Sequence, residues 1–283
     1  MIPTVPVSEL ERDFDIRNAV PKRSLACREY WVTESELVRG RASILTEVAY
    51  GTGERQRIDI FEPDGQRPPS GWPTLLFVHG GYWQKLSKED HSFIAEAYTD
   101  RGIAVAVVEY TLCPANTVRG ITVEVEQAVT HLWTNAETLH LDRNAFVLAG
   151  HSAGGHLTVW CMTVNWSTHA LPTDPFLAAV SISGLFDLEP FVPTSVNIAL
   201  GLTSTEALDV SPLYRTRTTT CPFDAIVGAA ETTEFLRQNA LLDEMWPDVA
   251  TRSLAGEDHF TIVTQVGNPE SDMFQIIARR FRT

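Results

Sequence analysis

Apolar and polar positions follow one another along this chain in three rhythms, and each rhythm predicts a kind of element. ASILTEVAYG and RQRIDIFEP alternate with a period of two, which places Ile58 and Ile60 on one face of a strand. PTLLFV, IAVAVVEY, AFVLAG, FLAAVSISG and CPFDAIVG are short apolar runs, the pattern of strands buried on both faces, and VATRSLAG predicts one more. Between about 120 and 139, Val125, Ala128, Val129, Leu132, Trp133 and Ala136 form a single helical stripe. Further helices are predicted from the cap-like Ser87-Lys88-Glu89-Asp90 to near Gly102, from Ala153 to about 164, over about 232–245 and over about 271–282.

Two leading strands followed by alternating buried strands and amphipathic helices predict an α/β fold. Its sheet is mostly parallel, with helices on both faces. Residues 1–283 read as one domain. The polar, mixed stretch 1–40 is an N-terminal extension, irregular or helical and packed outside the core. Residues of about 185–220 contain no buried strand and read as a short cap inserted over the sheet edge.

Composition narrows the choice of partner. With 36 acidic and 22 basic residues the net charge is −14, which argues against nucleic acid and against an anionic membrane surface. No uninterrupted apolar run approaches the length of a membrane span. The four cysteines Cys27, Cys113, Cys161 and Cys221 lie far apart without C-x-x-C spacing, against a zinc or dithiol site. The opening MIPTVPVSELERDFD has no signal-like apolar stretch, so reduced thiols and a cytoplasmic location are expected.

Chemistry concentrates in VLAGHSAGGHL. Its Gly150-His151-Ser152-Ala153-Gly154 is a G-x-S-x-G between a predicted strand and a predicted helix. There a sharp turn presents Ser152 at the carboxyl edge of the sheet and aims the Ala153 N–H at a developing anion. A serine nucleophile needs a base and a group to orient it. Of the histidines that follow, His156 is carried away along the helix and His169 falls in a polar loop. His259, in GEDHF after the last strand, is the candidate base. Glu231 is the first carboxylate after the penultimate strand and the leading candidate acid, with Asp187 and Asp258 as alternatives; Glu234 suits a helix N-terminus instead. The second oxyanion donor is expected after the third strand. There His79-Gly80-Gly81-Tyr82 compares with an HGGG-type loop whose last glycine is tyrosine, making Gly81 and Tyr82 the candidate donors. A phosphate cradle would need a further glycine and a lysine, or G-x-G-x-x-G, and neither is present.

HGGYW, GHSAGGHL, SGLFDLEP, the acid-bearing G-x-x-E-T-x-E-F and the final DHF together resemble the α/β-hydrolase superfamily. Within it they resemble the kynurenine formamidase (arylformamidase) branch and its bacterial carboxylesterase relatives. The resemblance covers roughly residues 55–283. The aromatic pair after HGG and the E-F after the acid point to this branch, and the elbow is shared more widely. Residue by residue, the resemblance implies Ser152 as nucleophile, Glu231 as acid and His259 as base. It also implies Gly81, Tyr82 and Ala153 as oxyanion donors. Many relatives have aspartate where this chain has Glu231. The branch implies hydrolysis of a small-molecule aromatic amide or ester, without metal or organic cofactor. Small-acyl (formyl or acetyl) aryl amides come first and small carboxylic esters second. A hydrolase-like binding protein without catalysis is the third reading, and a complete Ser–acid–His set argues against it. Trp83, His151 and Phe191 are the candidate substrate contacts, with Trp83 equally readable as an anchor that packs its loop on the core, and a homodimer is compatible with all of this.

Overall fold

The near-continuous apolar runs form the middle of a single eight-stranded sheet. Its strands are β1 (Ser43–Ala49), β2 (Arg57–Glu62), β3 (Trp72–Val78), β4 (Ala104–Val108), β5 (Leu141–His151), β6 (Ala178–Ile182), β7 (Phe223–Gly228) and β8 (Ala250–Leu254). The structure is a computed structural model and describes residues 5–281; the first four residues of the N-terminal extension and the end of the predicted last helix lie outside them. The spatial order is β1-β2-β4-β3-β5-β6-β7-β8. β2 runs antiparallel to both β1 and β4, and every other pairing is parallel. β4 and β6 are buried at every position, as strands covered on both faces must be. β8 is half-exposed, because it is an edge strand.

The register sets up the site. Val78 of β3 pairs with both Val108 and Gly150, Gly150 with Ser181, and Gly228 with Leu254. The carboxyl ends of β3, β5, β6 and β7 therefore finish side by side, and the loops leaving them share one edge. In open α/β sheets that edge is where ligands bind.

Helices follow most of the predicted stripes. Helix Val118–Thr134 buries Val125, Ala128, Val129 and Leu132, and the Thr117 hydroxyl caps it by accepting the Gly120 N–H at 3.0 Å. Its predicted end is five residues late. The 185–220 excursion contains the short helices Asn197–Leu200 and Ser204–Asp209, the second closed by a capping box between Thr203 and Glu206.

The N-terminal extension is helical, and its share in the wall of the cavity that holds Ser152 is the part not expected. It folds into helices Val7–Phe14, Ile16–Ala19 and Pro21–Arg41. Helix Pro21–Arg41 buries Ser24, Trp31, Ser35 and Val38, a stripe half made of serines, so its inward face does not read as apolar in the sequence. Ser35 Oγ accepts the Phe93 N–H at 3.0 Å, and Arg39 pairs with the fully buried Asp59 at 2.7 Å. Phe14 stacks on Phe191 with ring centroids 4.0 Å apart, tying the extension to the 185–220 segment. The extension is mostly exposed and packs onto the core from outside, and its residues 11–31 also border the cavity that holds Ser152. It crosses the carboxyl edge of the sheet.

Candidate active site

Ser152 sits at the junction of β5 and helix Ala153–Cys161 with φ +58° and ψ −116°. A non-glycine residue held there costs on the order of 1–3 kcal/mol, and the surroundings must enforce it. They do so by close packing. A Cβ on Gly154 would lie 2.0 Å from the Val78 carbonyl oxygen, and one on Gly150 would lie 2.2 Å from that of Gly154. Only glycines let the helix descend onto β3 and β5 at this angle. The Ser152 N–H donates to the Ile182 carbonyl at 2.8 Å, which ties the elbow to β6.

His259 follows β8, and its Nδ1 lies 2.7 Å from Glu231 Oε2. Glu231 Oε1 accepts from Ser183 Oγ at 2.5 Å and from the Gly228 N–H at 2.9 Å. The carboxylate is thus held by three donors, with a side chain that is completely buried. With Nδ1–H given to Glu231, the lone pair of His259 is on Nε2, the arrangement a general base requires.

The alternative acids are engaged elsewhere. Asp187 faces Arg237 at 3.3 Å, and Asp258 pairs with Arg23 at 2.8 Å while accepting the N–H groups of Phe260 and Thr261. Glu234 is bound by Arg237 and Gln238. Among the histidines, His156 is buried against the Val210 carbonyl and its pKa is pushed down by burial to about 4. His169 pairs with Glu126 at 3.3 Å.

The loop after β3 is built on left-handed backbone. Gly81, Tyr82 and Trp83 have φ of +107°, +53° and +56°. At Gly81 a Cβ would lie 2.0 Å from the Lys85 carbonyl oxygen, so no other residue fits. Among the described residues, the N–H groups of Gly81, Tyr82 and Ala153 donate to no acceptor. Beneath the loop, His79 Nδ1 meets the Gly80 carbonyl at 2.7 Å and Nε2 meets Glu109 Oε1 at 3.1 Å. Glu109 also takes Arg55 at 2.7 Å and the Lys88 N–H at 3.0 Å. Burial alone would raise the Glu109 pKa, but His79 and Arg55 outweigh it and hold the carboxyl below the usual range.

Gly81, Tyr82, His151, Ser152 and His259 line one cavity of about 620 Å³. His151, proposed as a substrate contact, does reach it. Its ring lies 4.6 Å from that of His259, its Nε2 donates to the His259 carbonyl at 2.9 Å, and burial with the neighbouring His259 pushes its pKa far down. Trp83 and Phe191 do not reach it. Both are fully buried and pack edge-on at 5.9 Å, with Trp83 also against His156. Trp83 braces the loop because its left-handed backbone turns the indole into the core.

Several residues of the site escaped the sequence reading. Ser183 and Glu109 lie at strand ends, where a polar residue after an apolar run is the one available signal. The wall of the cavity formed by Phe14, Ile16, Arg17, Arg28 and Trp31 comes from the extension, whereas the expected cap contributes only Ser195 and Val196.

A candidate cation cluster lies elsewhere, at Glu47, Asp59 and Glu89. The Lys88 ammonium sits among them, 2.5 Å from Glu47 and 3.3 Å from Asp59, and supplies the positive charge itself. Among the described residues, no helix is long and apolar enough to cross a membrane.

The family model BD-FAE matches residues 58–188. A kynurenine formamidase of Salmo salar is 28% identical over 255 residues, covering 87% of this chain and 84% of that protein. One of Drosophila melanogaster is 26% identical, covering 91% and 90%. Among solved structures, a putative thioesterase from Silicibacter sp. TM1040 superposes with a TM-score of 0.84 at 30% identity, covering 95% of this chain and 99% of that one. An esterase of Pyrobaculum calidifontis shares the fold with a TM-score of 0.69 at 18% identity. The chain has the α/β-hydrolase fold and is similar to kynurenine formamidases along most of its length.

Proposed function

We propose that the protein is a serine hydrolase that removes a small acyl group, formyl or acetyl, from an aryl amine through an acyl-enzyme. The observation that carries this reading is His259 fixed to Glu231 at 2.7 Å while sharing a cavity with Ser152 on its strained elbow. His259 Nε2 takes the Ser152 proton as Oγ attacks the acyl carbon, and the carbonyl electron pair moves onto oxygen. The N–H groups of Gly81, Tyr82 and Ala153 hold that oxyanion. Collapse expels the amine, which takes its proton from His259. Water, deprotonated by His259, then releases the acid from Ser152. The imidazolium formed in both halves is stabilised by Glu231.

A small acyl group suits the packing around the nucleophile. A Cβ on Gly80 would lie 3.0 Å from the Ser152 Cβ, so the loop lies directly against the serine. The kynurenine formamidase relatives, matched along most of both chains, favour an aryl amide. Small esters are the second reading, and the 30% identical neighbour, described as a putative thioesterase, is in keeping with cleavage of an acyl bond other than an amide. The two share one set of catalytic groups, so a substrate panel separates them. N-formylkynurenine, simpler N-formyl and N-acetyl arylamines, and p-nitrophenyl esters of rising chain length are compared by kcat/KM. The N-formyl aryl amides are expected to lead; a clear preference for long-chain esters would refute the aryl-amide reading.

A further inference from the structure

The cavity is charged against the balance of the whole chain. The protein carries 36 acidic and 22 basic residues, yet four cationic side chains, Arg12, Arg17, Arg28 and Lys85, line this cavity with two acidic ones, Glu11 and Asp15. Both carboxylates are already engaged, Glu11 by the N–H and hydroxyl of Ser195 at 2.6 and 2.7 Å and Asp15 by Asn18 at 2.7 Å. Arg12 is paired with Asp13 at 3.2 Å.

Arg17 and Arg28 lack such partners within this cavity. Among the described residues, neither guanidinium has a hydrogen bond or a carboxylate within ion-pair distance. Arg39, Arg55 and Arg280 are paired with Asp59, Glu109 and Asp224, and the other arginines without a hydrogen bond or ion pair, Arg67, Arg119, Arg143 and Arg279, lie outside the cavity that holds Ser152. Arg17 is held below its ordinary pKa, first by partial burial and then by repulsion from Arg28; the Tyr82 phenol and Asp15 act in the opposite sense. Both guanidiniums line the wall of the cavity that Tyr82 also lines. Both are exposed, so their guanidiniums stand open at the cavity mouth to an incoming carboxylate, whose planar geometry a guanidinium matches.

We propose that Arg17 and Arg28 recognise a carboxylate borne on the aryl portion of the substrate, so that the enzyme selects anionic arylamides over neutral ones. The assignment rests on the placement of hydrolysis at Ser152, and it makes the N-terminal extension the specificity element of the site. An acyl group at Ser152 leaves the ring beside Tyr82 and directs a side chain toward the arginine wall. The field of the two arginines also draws an anion into a cavity of a molecule that otherwise repels it.

A matched pair of ligands tests this: 3-(3-formamidophenyl)propanoate and its primary amide, 3-(3-formamidophenyl)propanamide. Both are titrated calorimetrically into Ser152→Ala and into Ser152→Ala carrying Arg17→Gln and Arg28→Gln. The propanoate is expected to bind roughly tenfold or more tightly than the propanamide, as for a hydrogen bond to a charged group. That advantage should shrink as salt is raised and vanish in the double arginine variant, with the propanamide affinity unchanged. Equal binding of the two ligands, binding of neither, or an advantage that survives loss of both arginines would overturn the assignment. Turnover by the unsubstituted protein is read separately. A carboxylate preference in binding without hydrolysis of either compound would remove the proposed reaction and leave the anion site standing.

Discussion

Glu231 reaches His259 by folding back over its own turn: Oε2 lies 2.7 Å from Nδ1 while Oε1 takes the Gly228 N–H from the same turn at 2.9 Å. The extra methylene of glutamate spans a gap that aspartate would leave open. Glu231→Gln is expected to lower kcat by about 10⁴, because the amide can present an N–H to Nδ1 and favour the wrong tautomer. Glu231→Asp should lose about 10², the effect of a misplacement near 1 Å. Steady-state kinetics on an N-formyl arylamine measures both, and a glutamine variant with near-normal kcat would exclude Glu231 from the role.

Gly81 is the tightest point of the loop after β3. A methyl group there would collide with the Lys85 carbonyl and would also sit at φ +107°. Gly81→Ala is expected to move the loop and cost about 10²–10³ in kcat, the loss of one oxyanion donor, with a much smaller change in KM. A rise in KM at constant kcat would instead make this loop a binding surface.

Phe14 is buried against Phe191 and anchors the N-terminal wall of the cavity, where its carbonyl also accepts the Tyr82 hydroxyl at 2.9 Å. Truncating a buried phenylalanine costs about 3–5 kcal/mol. In Phe14→Ala this loss should appear locally. Amide exchange of residues 7–19 is expected to accelerate at least tenfold, with KM raised, while β4 stays protected. Unchanged exchange over 7–19 would show that the wall is held by other contacts.

Three buried histidines set the acid limit of stability. Burial pushes His91 down to about 3 and His156 to about 4, and burial with the neighbouring His259 takes His151 well below its ordinary value. Folded, they stay neutral where the unfolded chain, with histidines near pH 6.5, takes up protons. Stability is therefore complete above about pH 6.5 and falls as pH drops toward the folded values, by up to about 1.4 kcal/mol per pH unit for each histidine. Denaturant unfolding at a series of pH values between about 6.5 and 4.5 should show this slope. His156→Gln should reduce it by about one proton, and an unchanged slope would mean His156 is not neutral in the folded protein.

The sheet was legible because its central strands are short, dominantly apolar runs with few polar residues: PTLLFV, IAVAVVEY and FLAAVSISG can be little else. The elbow was legible because Gly150 and Gly154 are demanded by backbone contact and so appear as residue types. Two features were hidden for opposite reasons. Helix Pro21–Arg41 turns serines inward, so its buried face carries no apolar stripe, and with it the N-terminal wall of the cavity went unread. Trp83 reads in the sequence either as a pocket residue or as a brace for its loop, because an aromatic side chain beside a turn suits both. A positive φ at Trp83 sends the indole into the core, and nothing in the residue type announces that angle. The link between Ser183 and Glu231 spans 48 positions of the chain and depends on β6 lying beside β7, which no local pattern encodes.

The central claim is that Ser152 is a nucleophile activated by His259. Intact-mass analysis after exposure to a serine-directed fluorophosphonate tests it most directly. The native protein is expected to gain one adduct, mapped to the peptide containing Ser152. Ser152→Ala should gain none, and His259→Gln should react far more slowly. Equal labelling of native protein and Ser152→Ala, or no labelling of the native protein, would contradict it.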